Sequence, residues 1–172
     1  MPGAGKSTIA NGLKSKNFEI INMGDAVRDE AKKRNLEPTG QNLGNLMLEL
    51  REKNGPGAVA ELIHDKIKNS NSNVIVIDGV RSNEEIQVLR KIGTVKLLSI
   101  HASTDTRYSF LSDRQRSDDP KNRENFDERD IREIGVGIST PIALADESIS
   151  NNNLTIDELI ENAFKIIQGW QK

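Results

Sequence analysis

The chain has 172 residues, 35% of them hydrophobic and 29% charged, with a net charge of -2 and an isoelectric point near 5.8. That length suits one soluble domain with a sizeable core, and the acidic balance argues against bulk nucleic-acid binding, which leaves a basic footprint. With no cysteine, disulfides and thiolate metal sites are excluded and a reducing, cytoplasmic setting is expected; no apolar run approaches the length of a membrane span.

The chain opens on MPGAGKST. Gly5, Lys6 and Ser7 supply the G-K-S of a phosphate-binding loop, G-x-x-x-x-G-K-[ST], whose first glycine would fall one place before Met1. Ser7 to Lys14 reads as a helix, with Ile9 and Leu13 on one face. Phe18 to Ile21 reads as a short strand. Leu43, Leu46, Met47 and Leu50 carry helical spacing, and NGPG (54–57) stops that helix. Val59, Leu62, Ile63 and Ile67 imply another helix. Val74 to Asp78, VIVID, starts with four β-branched apolar residues, the mark of a parallel strand buried on both faces. Ser82 and Glu85 form a capping box for a helix to about Lys91. Val95 to Ile100 is a further strand, and Thr104 to about Gln115 a helix. The segment 116–125 is charged and proline-broken, so it reads as a loop, with another helix from Phe126. Glu147 to Ser150 is a weak strand. Thr155 and Glu158 cap a last helix that aligns Ile156, Leu159, Ile160, Ala163 and Ile167. Strands alternating with helices imply an α/β fold with a parallel sheet, without an internal repeat or a linker that would split the domain.

Glycines in the opening loop let successive backbone N–H groups turn onto phosphate oxygens, at a helix start that favours anions. Lys6 would bridge the β- and γ-phosphates and the Ser7 hydroxyl would ligate Mg²⁺. The ordinary alternative is a glycine-rich turn before a helix. Asp78 ends the VIVI strand, where ligands bind in open parallel sheets, and its carboxylate can hold Mg²⁺ or its water; equally, an aspartate often turns the chain after a strand. MGDAVR (23–28) and DGVRS (78–82) each place an arginine three residues after an aspartate, just past a strand. Arg28 and Arg81 would make a second anion site facing the loop, since the guanidinium fork matches phosphate. Taken alone, Arg28 reads as part of a solvated helix face with Asp29, Glu30 and Lys32. Arg114 and Arg116 sit in DRQRSDD (113–119), where a lid would bring them over a transferring phosphoryl group; the bland reading is a solvated charge run. His64 and His101 lack the partners of a triad or a metal cluster and read as structural.

Together these segments resemble the nucleoside and nucleotide kinase superfamily of P-loop proteins. MPGAGKST is similar to the adenylate-kinase loop. MGDAVR resembles the adenylate-kinase TGDMLR segment, whose arginine meets the acceptor phosphate, and DGVRS resembles its DGFPR, one residue shorter. ALADESISNNNLTIDEL (143–159) looks like the ending of dephospho-CoA kinases. The nearest resemblance, over essentially the whole chain, is to an uncharacterised archaeal family of adenylate-kinase-related P-loop proteins with a GMPGSGKS loop, DGVRS, RSDD and an A-D-x-I-x-N tail.

That resemblance implies a three-layer P-loop sandwich around a five-stranded parallel sheet of order 2-3-1-4-5, as a single domain over 1–172. Its acceptor-binding helical region would span about 24–68 and its lid about 114–128. It implies ATP with Mg²⁺ as donor, held by Pro2, Gly3, Ala4, Gly5, Lys6, Ser7 and Thr8. Asp25, Arg28 and Arg81 would hold a small, nucleotide-like phosphate acceptor. Ser7 and Asp78 would serve the metal, and Lys6, Asp78, Arg114 and Arg116 the chemistry. The first strand of that sheet is absent from the sequence as written. Unpaired backbone groups in the core are costly, each by roughly 1–3 kcal/mol, so a natural chain starting upstream is expected. The functional alternative is an ATP-binding or ATP-hydrolysing switch or assembly factor without a small-molecule acceptor. A third reading is a degenerate loop that binds no ATP.

Overall fold

The computed structural model describes residues 1–114, 116 and 119–172. The expected helix end at Gln115 and the centre of the RSDD segment, Ser117 and Asp118, lie outside the described residues.

Gly5, with a left-handed φ of 103°, opens helix α1 (Lys6–Ser15), which buries Ile9, Ala10 and Leu13 as their spacing predicts. Strand β1 (Glu19–Asn22) runs one residue beyond the expected one and leads straight into α2 (Met23–Lys33). The Asn22 side chain makes that sharp entry possible by accepting the Asp25 N–H, the ordinary service of an N-cap. Helix α3 (Gly40–Asn54) starts at the Thr39 cap and stops before Gly55, whose φ is 89°. The apolar run after NGPG forms two short helices, α4 (Ala58–Glu61) and α5 (His64–Lys68), in place of one.

Strand β2 (Ile75–Asp78) is followed by α6 (Asn83–Arg90). Only half of the expected capping box forms here. Ser82 Oγ accepts the Glu85 N–H, whereas the buried Glu85 carboxylate accepts from the Arg81 N–H and from Arg51. Strand β3 (Leu98–His101), α7 (Thr104–Arg114), α8 (Arg123–Val136), α9 (Ser139–Ala143), β4 (Glu147–Ser150) and α10 (Ile156–Trp170) complete the chain. The capping box of α10 is complete, with Thr155 and Glu158 bonded reciprocally.

Strands β1 and β2 pair in parallel with Asn22 opposite Asp78, and β3 and β4 pair in parallel with His101 opposite Ser150. Among the described residues each sheet has two strands. Alternation along β2 sets the layers. Ile75 and Ile77 pack on a core built from α2, α3, α4 and α6, including Val27, Leu46, Val59 and Leu89. Val74 and Val76 pack on the other core, of α1 and α10, with Ile9, Leu13, Leu159 and Ala163. The sheet therefore has helices on both faces, the layering of an α/β sandwich.

The expectation that the VIVI strand is buried on both faces holds in direction but not in degree, because Ile75, Val76 and Ile77 are only half-buried. The reason is lateral. One edge of β2 pairs with β1, and the other borders a cavity of about 660 Å³ shared with β3, α1 and α10.

Gly12 sits where α1 meets α10, and a Cβ there would stand 2.4 Å from Ile160 Cδ1. Gly12→Val is therefore expected to destabilise the protein by about 1–3 kcal/mol through overpacking, with Ile160→Ala recovering part of the loss. Urea unfolding of the two single variants and the double variant checks this; purely additive penalties would refute close approach as the reason for the glycine.

Candidate functional site

The site forms where the opening loop, the C-terminal ends of β1 and β2, and the helices after β3 converge. Gly3 and Gly5 both hold left-handed φ values, 79° and 103°, which a residue with a Cβ adopts only under strain. Ser7, in the first turn of α1, donates from Oγ to Asp78 Oδ2 at 3.0 Å. Asn22 Nδ2 donates to the same oxygen at 2.8 Å. Parallel register brings this about, since Asn22 and Asp78 are partners at the ends of their strands. Asp78 is buried, and its carboxylate joins the loop helix to both strands.

Lys6 Nζ donates to the Met1 carbonyl at 2.7 Å and lies within the same field of charge. Burial pushes its pKa below the ordinary lysine value; the Asp78 carboxylate pulls it back up, and Arg81 lowers it again.

A cavity of about 650 Å³ opens over the loop and gathers most of the expected residues. Pro2, Gly3, Gly5, Lys6, Ser7, Thr8, Asp78, Arg28, Arg81, Arg114 and Arg116 all line it. Ala4 does not. It is fully buried in the α1–α10 core, so the loop turns its one methyl inward. Asp25 lines only a neighbouring cavity of about 850 Å³, which also takes in Ser7, Arg28, Asp78 and Arg116.

Arg28, Arg81 and Arg114 reach this space already engaged. Arg28 pairs with Asp25 at 2.9 Å. Arg81 pairs through Nε with the buried Glu133 of α8 at 2.9 Å and donates from a terminal nitrogen to Met47 Sδ. Arg114 chelates Asp119, which also accepts the Arg116 N–H at 2.8 Å and has Arg129 at 3.8 Å. Burial raises the Asp119 pKa, but the bonds from Arg114 and Arg116 outweigh that and hold it below its usual value.

Several participants are not singled out by sequence reasoning. Arg129 lines the loop cavity from α8, but in the sequence it is one charge among many in RENFDERDIRE (123–133). Asn22 is visible only as an N-cap. Asn151 and Arg107 hold loop carbonyls; Asn151 is visible in the sequence only as the last residue of the A-D-x-x-I-x-N tail, and no local pattern announces either contact across more than a hundred residues. Among the described residues no group of three or more His, Cys, Asp or Glu could cage a metal. The oxygens of Ser7 and Asp78 are nevertheless hard donors of the kind that hold Mg²⁺ beside substrate phosphates. Among the described residues no helix is long and apolar enough to cross a membrane.

Comparison with known proteins gives the family and the fold. The model of a family described as an AAA domain matches residues 1–127. A UPF0200 protein of Hyperthermus butylicus is 38% identical over 167 residues, covering 97% of this chain and 89% of that protein. One from Pyrococcus abyssi is 42% identical over 158 residues, 89% of this chain and 84% of that protein. One from Methanocaldococcus jannaschii is 40% identical over 182 residues, 100% of this chain and 91% of that protein. The crystal structure of TT1252 from Thermus thermophilus superposes with a TM-score of 0.73 over 99% of this chain and 94% of that one; at 16% identity it shows a shared fold.

The desolvated Lys6 amine makes a pH prediction. Its folded pKa lies below its unfolded one, so the folded state binds fewer protons, and the resulting instability is greatest below the folded pKa. It fades as pH rises from there toward 10.5. Over that window below 10.5 the wild type should gain stability relative to Lys6→Met in urea titrations. A pH-independent difference between the two would contradict the desolvation.

Proposed function

We propose a function from one premise: this chain belongs to the AAA-domain family, as one of the archaeal UPF0200 proteins, and carries a P-loop nucleotide-binding, kinase-like domain. The reading is an ATP- and Mg²⁺-dependent phosphotransferase that moves the γ-phosphoryl group to a small, nucleotide-like, phosphate-bearing acceptor. The observation that carries it is the 3.0 Å hydrogen bond from Ser7 to Asp78, which joins a loop hydroxyl to a strand-end carboxylate beneath a cavity rich in arginine.

In this reading the loop N–H groups and Lys6 hold the donor phosphates, and Ser7 and Asp78 hold the metal. The bound Mg²⁺ supplies charge neutralisation at the phosphate oxygens. Arg28 and Arg81 orient the acceptor so that its oxygen bonds to the γ-phosphorus as the bond to ADP breaks. Arg114 and Arg116, joined by Arg129, neutralise the charge on the transferring group and exclude water. Positioning and charge stabilisation would supply nearly all the acceleration. A cavity of about 650 Å³ is of nucleotide-binding size.

The sheet order 2-3-1-4-5 belongs to the same proposal. Its support is that the β1–β2 and β3–β4 pairs, as positions 2-3 and 4-5, flank the cavity of about 660 Å³.

One observation favours the second reading, a nucleotide-dependent switch or assembly factor. The arginines expected to grip an acceptor are paired within the chain, Arg28 with Asp25, Arg81 with Glu133 and Arg114 with Asp119. Such pairs could exchange partners when nucleotide binds. Acceptor dependence separates the readings. ADP formation should rise when one of AMP, CMP, UMP or dephospho-CoA is added, and Lys6→Ala should lower that turnover by about a hundredfold or more. ATP consumption indifferent to every acceptor would favour the switch, and turnover that survives Lys6→Ala would overturn the site assignment.

A further inference from the structure

Two carbonyls of the opening loop are held by buried side chains that take no part in the proposed chemistry. Asn151, just past the end of β4, donates from Nδ2 to the Ala4 carbonyl at 3.0 Å. Its own N–H is bound to the His101 carbonyl at 2.7 Å, so the side chain projects from a fixed strand end. Arg107, on α7, donates to the Pro2 carbonyl at 3.1 Å. Arg107 is itself locked by a two-pronged pair with Asp130 of α8 and by the Phe126 ring 4.9 Å from its guanidinium carbon. Asn151 is 3% exposed and Arg107 4%, so neither sits there for solubility.

In a planar trans peptide the C=O and the following N–H point in opposite directions. Fixing the Ala4 carbonyl toward Asn151 therefore aims the Gly5 N–H the other way. Fixing the Pro2 carbonyl toward Arg107 does the same for the Gly3 N–H. Gly3 and Gly5 are the loop glycines that line the cavity. Their missing side chains also make room for the Asn151 amide and for the turn of α7 that carries Arg107. A Cβ on Gly5 would stand 2.6 Å from Asn151 Nδ2, and one on Gly3 would stand 2.7 Å from the Arg107 carbonyl.

We infer that Asn151 and Arg107 are positioning residues that set the direction of the Gly5 and Gly3 N–H groups and so tune the loop to bind a polyphosphate. The inference rests on the nucleotide-binding reading above. Through Arg107 and Asp130, loop geometry is tied to α8, the helix that carries Arg129 into the cavity.

The test uses inorganic tripolyphosphate and ATP as probes of the full chain, well below the unfolding midpoint of each variant. Asn151→Leu keeps the volume and removes the donor. Arg107→Lys keeps the charge facing Asp130 but loses the fork that spans both acceptors. Each should weaken binding of both probes by about tenfold to a hundredfold, while Asn153→Ala, an exposed neighbour, leaves binding unchanged. The Gly5 amide resonance should shift on tripolyphosphate saturation in the wild type and shift much less in Asn151→Leu. Unchanged affinity and an unchanged Gly5 shift in a folded Asn151→Leu protein would overturn the inference and leave the nucleotide-binding reading standing. Failure of the wild type to bind either probe would overturn both.

Discussion

One carboxylate organises this molecule. Asp78 accepts from the Ser7 hydroxyl and the Asn22 amide on a single oxygen, and through them the loop helix and strands β1 and β2 meet at one point. Parallel pairing dictates the meeting. Only when both strands run the same way do Asn22 and Asp78 finish side by side, at the end where the opening loop also arrives. A buried carboxylate costs free energy unless charge-assisted donors surround it. Here one of those donors, the Ser7 hydroxyl, is also a group that the metal of a bound nucleotide would need. Strand geometry, loop geometry and the proposed chemistry thus depend on the same oxygen.

Around that centre the charges are arranged in held pairs. Asp119 collects Arg114, the Arg116 N–H and Arg129, and Glu133 holds Arg81. Desolvated arginine without a counter-charge would be costly, so the chain supplies carboxylates just behind the cavity wall. A polyanionic ligand could then compete for partners already in place, which keeps the side chains ordered before it binds and lowers the entropy lost on binding.

Much of the fold was legible because its signals are local. The VIVI run, the Thr155–Glu158 box and the spacing of Leu159, Ala163 and Ile167 each report their element from a few residues. Glu147 to Ser150, a weak signal by composition, forms its strand because β3 offers a parallel partner. The α4–α5 break was not legible, since the apolar spacing there fits one helix as well as two. Nor was the half-formed box at Ser82, because Glu85 is drawn away by Arg51, thirty-four residues earlier.

The site was legible to the same limit. Lys6, Ser7 and Asp78 carry recognisable spacing and lie together as expected, with Arg28, Arg81, Arg114 and Arg116 around one cavity. Ala4 belongs to the loop by sequence but faces the core, Arg129 and Arg107 are defined only by contacts made in three dimensions, and Asn151 stands in the tail motif with nothing there to tell its role. The most direct test of the central claim is a calorimetric titration of ATP into the protein with Mg²⁺ and again with the metal chelated. The account predicts one site per chain whose affinity falls when Mg²⁺ is removed. Heat-silent titrations in both conditions, with no nucleotide retained on equilibrium dialysis, would contradict it.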